Sequence, residues 1–140
     1  MSAGGAVNAM EKAREKTRDI KFYSEKNHAM ICVHTAEARD YAKYLETQDG
    51  IESYETNYPL ELERFSHVSP VGIRSEYLKM EWTSDFFLRD TAGRRSIHEI
   101  ATPGMLEKRS AVERLELSRR YWSSLDIQEW RIVLCGARGR

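Results

Sequence analysis

The chain reads as an α/β protein with a mixed β-sheet flanked by helices. Three observations predict this. Two segments, 35–48 and 106–122, repeat apolar residues at helical spacing. Between them lie apolar runs of strand character joined by a hairpin signal at Asp90-Thr91-Ala92-Gly93. After the second helix the chain returns as a strand over 127–134, which a right-handed crossover places parallel to the strand before that helix.

The elements follow in order. Residues 10–19 alternate charge and predict a solvated lead-in. Ile20–Tyr23 and Met30–Val33 are short apolar pieces, strands or ordered loop. Thr35 is the N-cap of the first helix, with Ala38, Tyr41, Ala42 and Leu45 on one face. Gly50 suits the left-handed position after it. A strand over 51–60 follows. Segment 61–73 is irregular and carries at most part of a strand ending at Ile73. Trp82–Leu88 is the strongest strand, and Arg95–Ile100 returns through the hairpin. In the second helix Ala111, Leu115, Ser118 and Trp122 form the inner stripe. Glu113, Arg114, Glu116 and Arg120 decorate the outside, with Glu116 and Arg120 at ion-pair spacing. The chain thus divides into an arm over 1–19, one domain over 20–135 and a loose basic tail over 136–140.

With 140 residues, 41% of them hydrophobic, the chain is long enough for a real core. Lys plus Arg and Asp plus Glu both number 22, which excludes a protein that binds nucleic acid by bulk charge but leaves room for a local basic groove. Cys32 and Cys135 sit in apolar runs without the spacing of a zinc finger, so two reduced core thiols of a cytoplasmic protein are expected. No apolar run reaches membrane-spanning length, and the small residues at the start lack the pattern of a signal peptide. They suit an expression leader or a native arm.

The chemistry concentrates between Trp82 and Trp122. In strand alternation Asp85 and Phe87 share one face, and Phe86 and Leu88 the other. The hairpin folds Glu99 back toward Asp85, with Ile97 on its face and His98 and Ile100 opposite. Two acids on neighbouring strands repel unless a positive charge lies between them. A hard divalent cation bound by both would relieve this and equip the site to cut a phosphodiester. The alternative is that Asp85 is a solvated residue near a turn.

The run Trp82-Thr83-Ser84-Asp85-Phe86, a hairpin's length before His98-Glu99-Ile100, resembles the Pro-Asp and Glu-x-Lys signature of restriction-endonuclease-like nucleases. Within that superfamily it is most similar to TnsA, the endonuclease subunit of heteromeric transposases. Upstream, Glu37-Ala38-Arg39-Asp40-Tyr41, Tyr44-Leu45-Glu46 and Ile51-Glu52-Ser53-Tyr54 are similar to the acidic helix and following strand of that family. Downstream, Arg114-Leu115-Glu116-Leu117 through Trp122 and Trp130-Arg131-Ile132-Val133 are similar to its next helix and strand. The resemblance spans residues 30–134.

It implies a restriction-endonuclease-like core and Mg2+, with Mn2+ as substitute, held by Asp85, Glu99 and the backbone carbonyl of Ile100. It also implies a helix glutamate. Glu37 and Glu46 lie on opposite sides of the helix, so only one can serve, and Glu37 is the better placed. Its other role is a favourable charge in the first helical turn. The implied activity is cleavage of the non-transferred strand at transposon ends, in a bacterial or phage-type cytoplasm. The implied partners are DNA, a TnsB-like transposase and a TnsC-like ATPase. The chain is short for that family, many members of which carry a further C-terminal domain.

Two positions depart from the pattern. Ser84 stands for the usual proline, and Ala101 holds the place of the family lysine. Three explanations remain open for Ala101: a lesion engineered to trap a complex, a base supplied by Lys108 or Arg109, or a natural pseudo-nuclease. Arg74, Lys79, Arg89, Arg94 and Arg95 gather near the hairpin in sequence. Of these Arg74, Lys79, Arg94 and Arg95, together with Lys108, are the candidate DNA contacts. Two rivals remain, a stand-alone nuclease of the same superfamily and a nuclease-dead DNA-binding or scaffolding subunit.

Overall fold

The computed structural model of the protein describes residues 19–136. The expected lead-in over 10–18 and the last residues of the tail, 137–140, lie outside them. The two short apolar pieces at the start form a hairpin of strands β1 (Ile20–Ser24) and β2 (Ala29–Val33), paired antiparallel with Ile20 opposite Val33. Helix α1 (Ala36–Glu46) starts as expected, because the Thr35 hydroxyl accepts the Ala38 N–H at 3.1 Å. It closes at Thr47, whose N–H bonds back to Leu45 and Tyr44. Gly50 is not left-handed, contrary to the expectation; Gly93 is, with φ at 83°, where the hairpin turn requires it.

The main sheet contains β3 (Ile51–Pro59), β4 (Thr83–Asp90), β5 (Arg95–Ala101) and β6 (Glu129–Leu134), in that spatial order. The first three form an antiparallel meander, and β6 lies parallel to β5 after the crossover through helix α2 (Arg109–Ser123). The mixed sheet flanked by helices is therefore present, and the order is helix, three strands, helix, strand.

Segment 61–73 contributes no strand. Leu62–His67 is a short helical turn, and Ser75–Lys79 is a second. The stretch nevertheless buries Phe65, Val68 and Ile73, which explains why apolar residues occur in it without periodicity. The sheet separates two apolar clusters. Phe87, Ile97, Leu117, Tyr121 and Trp122 pack on the α2 side, whereas Phe86, Leu88, Ile100, Ala42, Leu45 and Tyr54 pack on the α1 side. Phe86 and Phe87 fall in different clusters, as strand alternation demands. Burying side chains of this size stabilises by about 1.5–3 kcal/mol each.

Along α2 the inner face differs from the predicted stripe. Leu115, Ser118 and Trp122 are buried, but so are Leu117, Tyr121 and Glu113, while Ala111 is only half-buried. Glu113 is buried because it accepts from Arg74 N–H, Nε and Nη2 at 3.0–3.1 Å and from Arg109 Nε at 2.7 Å. These charge-assisted bonds hold its carboxyl down at about 2. Glu116 and Arg120 form the expected pair at 2.7 Å.

Candidate active site at the parting of two strands

The β4–β5 ladder runs from Arg89↔Arg95 to Phe86↔His98. The next couple in that register is Asp85 and Glu99. There the side chains replace the backbone. Asp85 N–H donates to Glu99 Oε1 at 3.0 Å, and Ile100 N–H donates to Asp85 Oδ2 at 2.7 Å. The two acids predicted to converge do so on adjoining strands.

The other neighbour of Asp85 is irregular as well. Pairing between β3 and β4 passes from Thr56↔Phe86 to Tyr58↔Ser84 across Asn57, whose φ is 53°. The alternation of faces resets there. Ser84 joins Phe87 on the α2 side: its hydroxyl accepts from Trp122 Nε1 at 2.9 Å and lies 3.4 Å from the Ser118 hydroxyl. Asp85 is left to send its carboxylate edgewise toward β5. Its carboxylate still meets Arg114 of α2, the helix that covers Phe87, so the departure from alternation lies at Ser84. Asparagine tolerates left-handed backbone better than other side-chain-bearing residues and is depleted in strands, so Asn57 was the signal available in the sequence.

Glu99 is fully buried on the α2 side, where the Ser118 hydroxyl donates to its Oε2 at 2.5 Å and itself accepts from Trp130 Nε1 at 3.0 Å. Asp85 keeps 27% of its side chain open to solvent. Burial and the neighbouring Glu99 charge push the Asp85 carboxyl up to about 7, against the pull of Arg114 and of the Ile100 N–H.

Arg114 is the cation of the site. Its guanidinium nitrogens lie 3.8 Å from Asp85 Oδ2 and 3.8 Å from Glu99 Oε1. The sequence placed it on the outside of α2, and the structure turns it inward, one helical turn before Ser118. Neither alternative base occupies this place. Arg109 is bound to Glu113, and Lys108 is exposed at the start of α2. Ala101 is fully buried and brings only a methyl group; its carbonyl accepts Cys135 N–H at 2.8 Å.

The donors suit a hard divalent cation. Asp85 and Glu99 offer carboxylate oxygens. Ile100 turns its N–H toward Asp85, and in a strand the carbonyl of the same residue points to the same edge. Of the helix glutamates, Glu46 is committed elsewhere, accepting from Ser24 Oγ, Tyr54 Oη and Lys26 N. Glu37 stands near the end of β6, where a side chain on Gly136 would lie 3.6 Å from its carboxylate. It lines a groove of about 580 Å³ with Asp40, Tyr41 and Cys135. Burial raises the Cys135 thiol, and the charges of Glu37, Asp40 and Asp85 add to this.

His98 faces α1 and packs, as its place on the strand implied. Its Nδ1 lies 2.6 Å from Tyr41 Oη and its Nε2 lies 3.3 Å from Glu129 Oε1. The candidate DNA contacts do not form one cluster. Arg94 and Arg95 pair with Asp90 and Asp126 at the hairpin end, about 17 Å along the strand from Asp85 at strand rise. Arg74 is tied to Glu113 and lies over the Tyr77 ring. Lys79 and Lys108 are exposed. No described helix is long and apolar enough to cross a membrane. No protein-family model matches the chain, and no curated protein matches it.

Proposed function

We propose that the chain is a metal-dependent DNA endonuclease with a restriction-endonuclease-like core. More finely, it is a TnsA-like subunit that cuts the non-transferred strand at transposon ends beside a TnsB-like transposase and a TnsC-like ATPase. The observation that carries the reading is the interlock of Asp85 and Glu99 at the point where β4 and β5 part. The order of helix, antiparallel meander, helix and parallel strand supports it, as does the resemblance of residues 30–134.

Asp85, Glu99 and the Ile100 carbonyl would hold Mg2+. The ion would supply Lewis-acid stabilisation of a phosphate oxygen and a water of lowered pKa, for hydrolysis to a 5′-phosphate and a 3′-hydroxyl. Ser118 fixes the Glu99 rotamer from behind. Arg114 offers a planar fork of donors, which suits a phosphate better than a loose contact with two carboxylates. It is thus the residue of this chain that stands in for the lysine lost at Ala101.

The test is nicking of supercoiled plasmid in Mg2+ or Mn2+, with and without a partner transposase. The wild type is expected to nick. Asp85→Asn and Glu99→Gln are expected to lose at least about 100-fold in rate. Equal rates in wild type and Asp85→Asn reject the assignment.

One observation favours a second reading. Arg114 already neutralises part of the acid pair, which suits a scaffolding subunit that retains the fold without the ion. Calorimetry with Mn2+ separates the two readings. Binding by the wild type at Asp85 supports the nuclease, and binding only after Arg114→Ala supports the scaffold.

A further inference from the structure

A second group of metal-ligating side chains lies on the small hairpin, on different strands from Asp85 and Glu99. Asp19, Cys32 and His34 each bring one ligand atom, and these atoms all lie within 4.8 Å of one another. The hairpin register explains why. Ile20 pairs with Val33 and Lys21 with Cys32, so Asp19 and His34 are the next couple beyond the ladder. Cys32 precedes His34 by two residues and shares its face of the strand. No Cys–His spacing used by zinc fingers occurs here, which is why the sequence did not reveal the group.

We propose that Asp19, Cys32 and His34 form a binding site for a borderline-soft divalent transition ion of the Zn2+ type. A thiolate, an imidazole and a carboxylate are the donors such an ion takes, whereas Mg2+ and Ca2+ prefer oxygen alone. The spacing agrees. His34 Nδ1 lies 3.1 Å from Asp19 Oδ1. Two such ligands on one tetrahedral zinc stand about 3.3 Å apart, from bond lengths near 2.0 Å. The ion takes the place of the proton between them, and the neutral imidazole carries that proton on Nε2 instead. The thiol of Cys32 loses its proton to solvent as its sulfur binds, so one proton is released per ion bound.

Asp19 and His34 are exposed and Cys32 is half-buried, so the ion enters from solvent and water completes the tetrahedron. Cys32 is held from behind. Its carbonyl accepts from Thr56 Oγ1 at 2.8 Å and from Asn57 Nδ2 at 3.2 Å, which pins this end of β2 to the main sheet. A two-stranded hairpin is marginal by itself, and an ion across its open end clamps it.

The site is independent of the acid pair, and the experiment keeps the two apart. The reduced, metal-free full chain is titrated with Co2+, followed by absorbance, and then with Zn2+. One thiolate-bound ion per chain is expected, with tetrahedral cobalt bands and a thiolate-to-cobalt charge-transfer band that Zn2+ abolishes. Cys32→Ser removes the charge-transfer band and Cys135→Ser retains it. His34→Ala, a change at an exposed position, lowers affinity at least about tenfold. Asp85→Asn and Glu99→Gln leave the bands as they are. Absence of a charge-transfer band in the wild type, its survival in Cys32→Ser, or unchanged affinity in His34→Ala overturns the proposal.

Discussion

Asn57 stands opposite Asp85 in the β3–β4 register, with its backbone in the left-handed region at φ 53°. The irregular residue and the candidate metal ligand are therefore one local device. The register is unbroken across Asn57, and what departs is its backbone conformation, which re-aims the residue facing it.

Asn57→Gly is expected to keep the aim of Asp85, since glycine adopts positive φ freely, while it loses the side-chain bond to the Cys32 carbonyl. Asn57→Val is expected to cost on the order of 1–3 kcal/mol through backbone strain and to weaken Mn2+ binding at Asp85. Urea denaturation and calorimetry read the two effects. A valine variant with wild-type stability and wild-type Mn2+ affinity would show that the left-handed backbone at Asn57 does not control the site.

Arg114 and Ala101 are expected to be coupled. Arg114→Met leaves two acids facing each other and is expected to lose on the order of 1–3 kcal/mol. Ala101→Lys drives an ammonium into a fully buried position and is expected to cost a similar amount. The double variant restores one cation per acid pair and should recover at least half of the summed loss. Strict additivity in this double-mutant cycle would place the two residues in separate environments.

Asp85 and His98 set opposite pH slopes. The folded chain keeps the Asp85 proton up to about 7, while the unfolded chain releases it near 3.8. The folded state binds more protons between these limits, so this contribution lowers stability as pH rises from about 4 to about 7. Burial depresses the His98 pKa below its ordinary 6.5, so its contribution is lost as pH falls below that value. Asp85→Asn removes the first slope and should gain stability relative to wild type between pH 5 and 7.5, on the order of 2–4 kcal/mol. Parallel wild-type and variant curves in urea denaturation would refute the raised Asp85 pKa.

The basic residues are expected to differ as DNA contacts. Lys108 is exposed at the start of α2 and pairs with no acid among the described residues, whereas Arg94 pairs with Asp90 at the far end of the strands. Lys108→Ala should weaken binding for every sequence and reduce the salt slope by about one, while Arg94→Ala leaves the slope unchanged. Arg74→Ala should act through folding instead, since it removes the two guanidinium bonds to buried Glu113 and leaves the backbone N–H bond. Salt-dependent anisotropy on duplex DNA, with melts of each variant, distinguishes these outcomes.

The elements with strong local signals were legible in the sequence. The Thr35 cap, the Gly93 turn and the parallel return of β6 each rest on local chemistry or on handedness, and the convergence of residues 85 and 99 rests on the hairpin between them. Misjudged features depend on distant partners. Glu113 is buried because arginines from a loop and from its own helix reach it. Arg114 turns inward because the acids lie beneath α2, and Ser84 changes face because of a residue on another strand. Charge alone placed these side chains outside, and only their partners bring them in.

Trp130 Nε1, Ser118 Oγ and Glu99 Oε2 form an unbroken chain of hydrogen bonds. An indole one hydroxyl away from the acid pair is a built-in optical sensor of its ionic state. With Trp82 and Trp122 replaced by phenylalanine, the remaining emission would report cation arrival or displacement of the guanidinium directly, without a label and on the unmodified backbone.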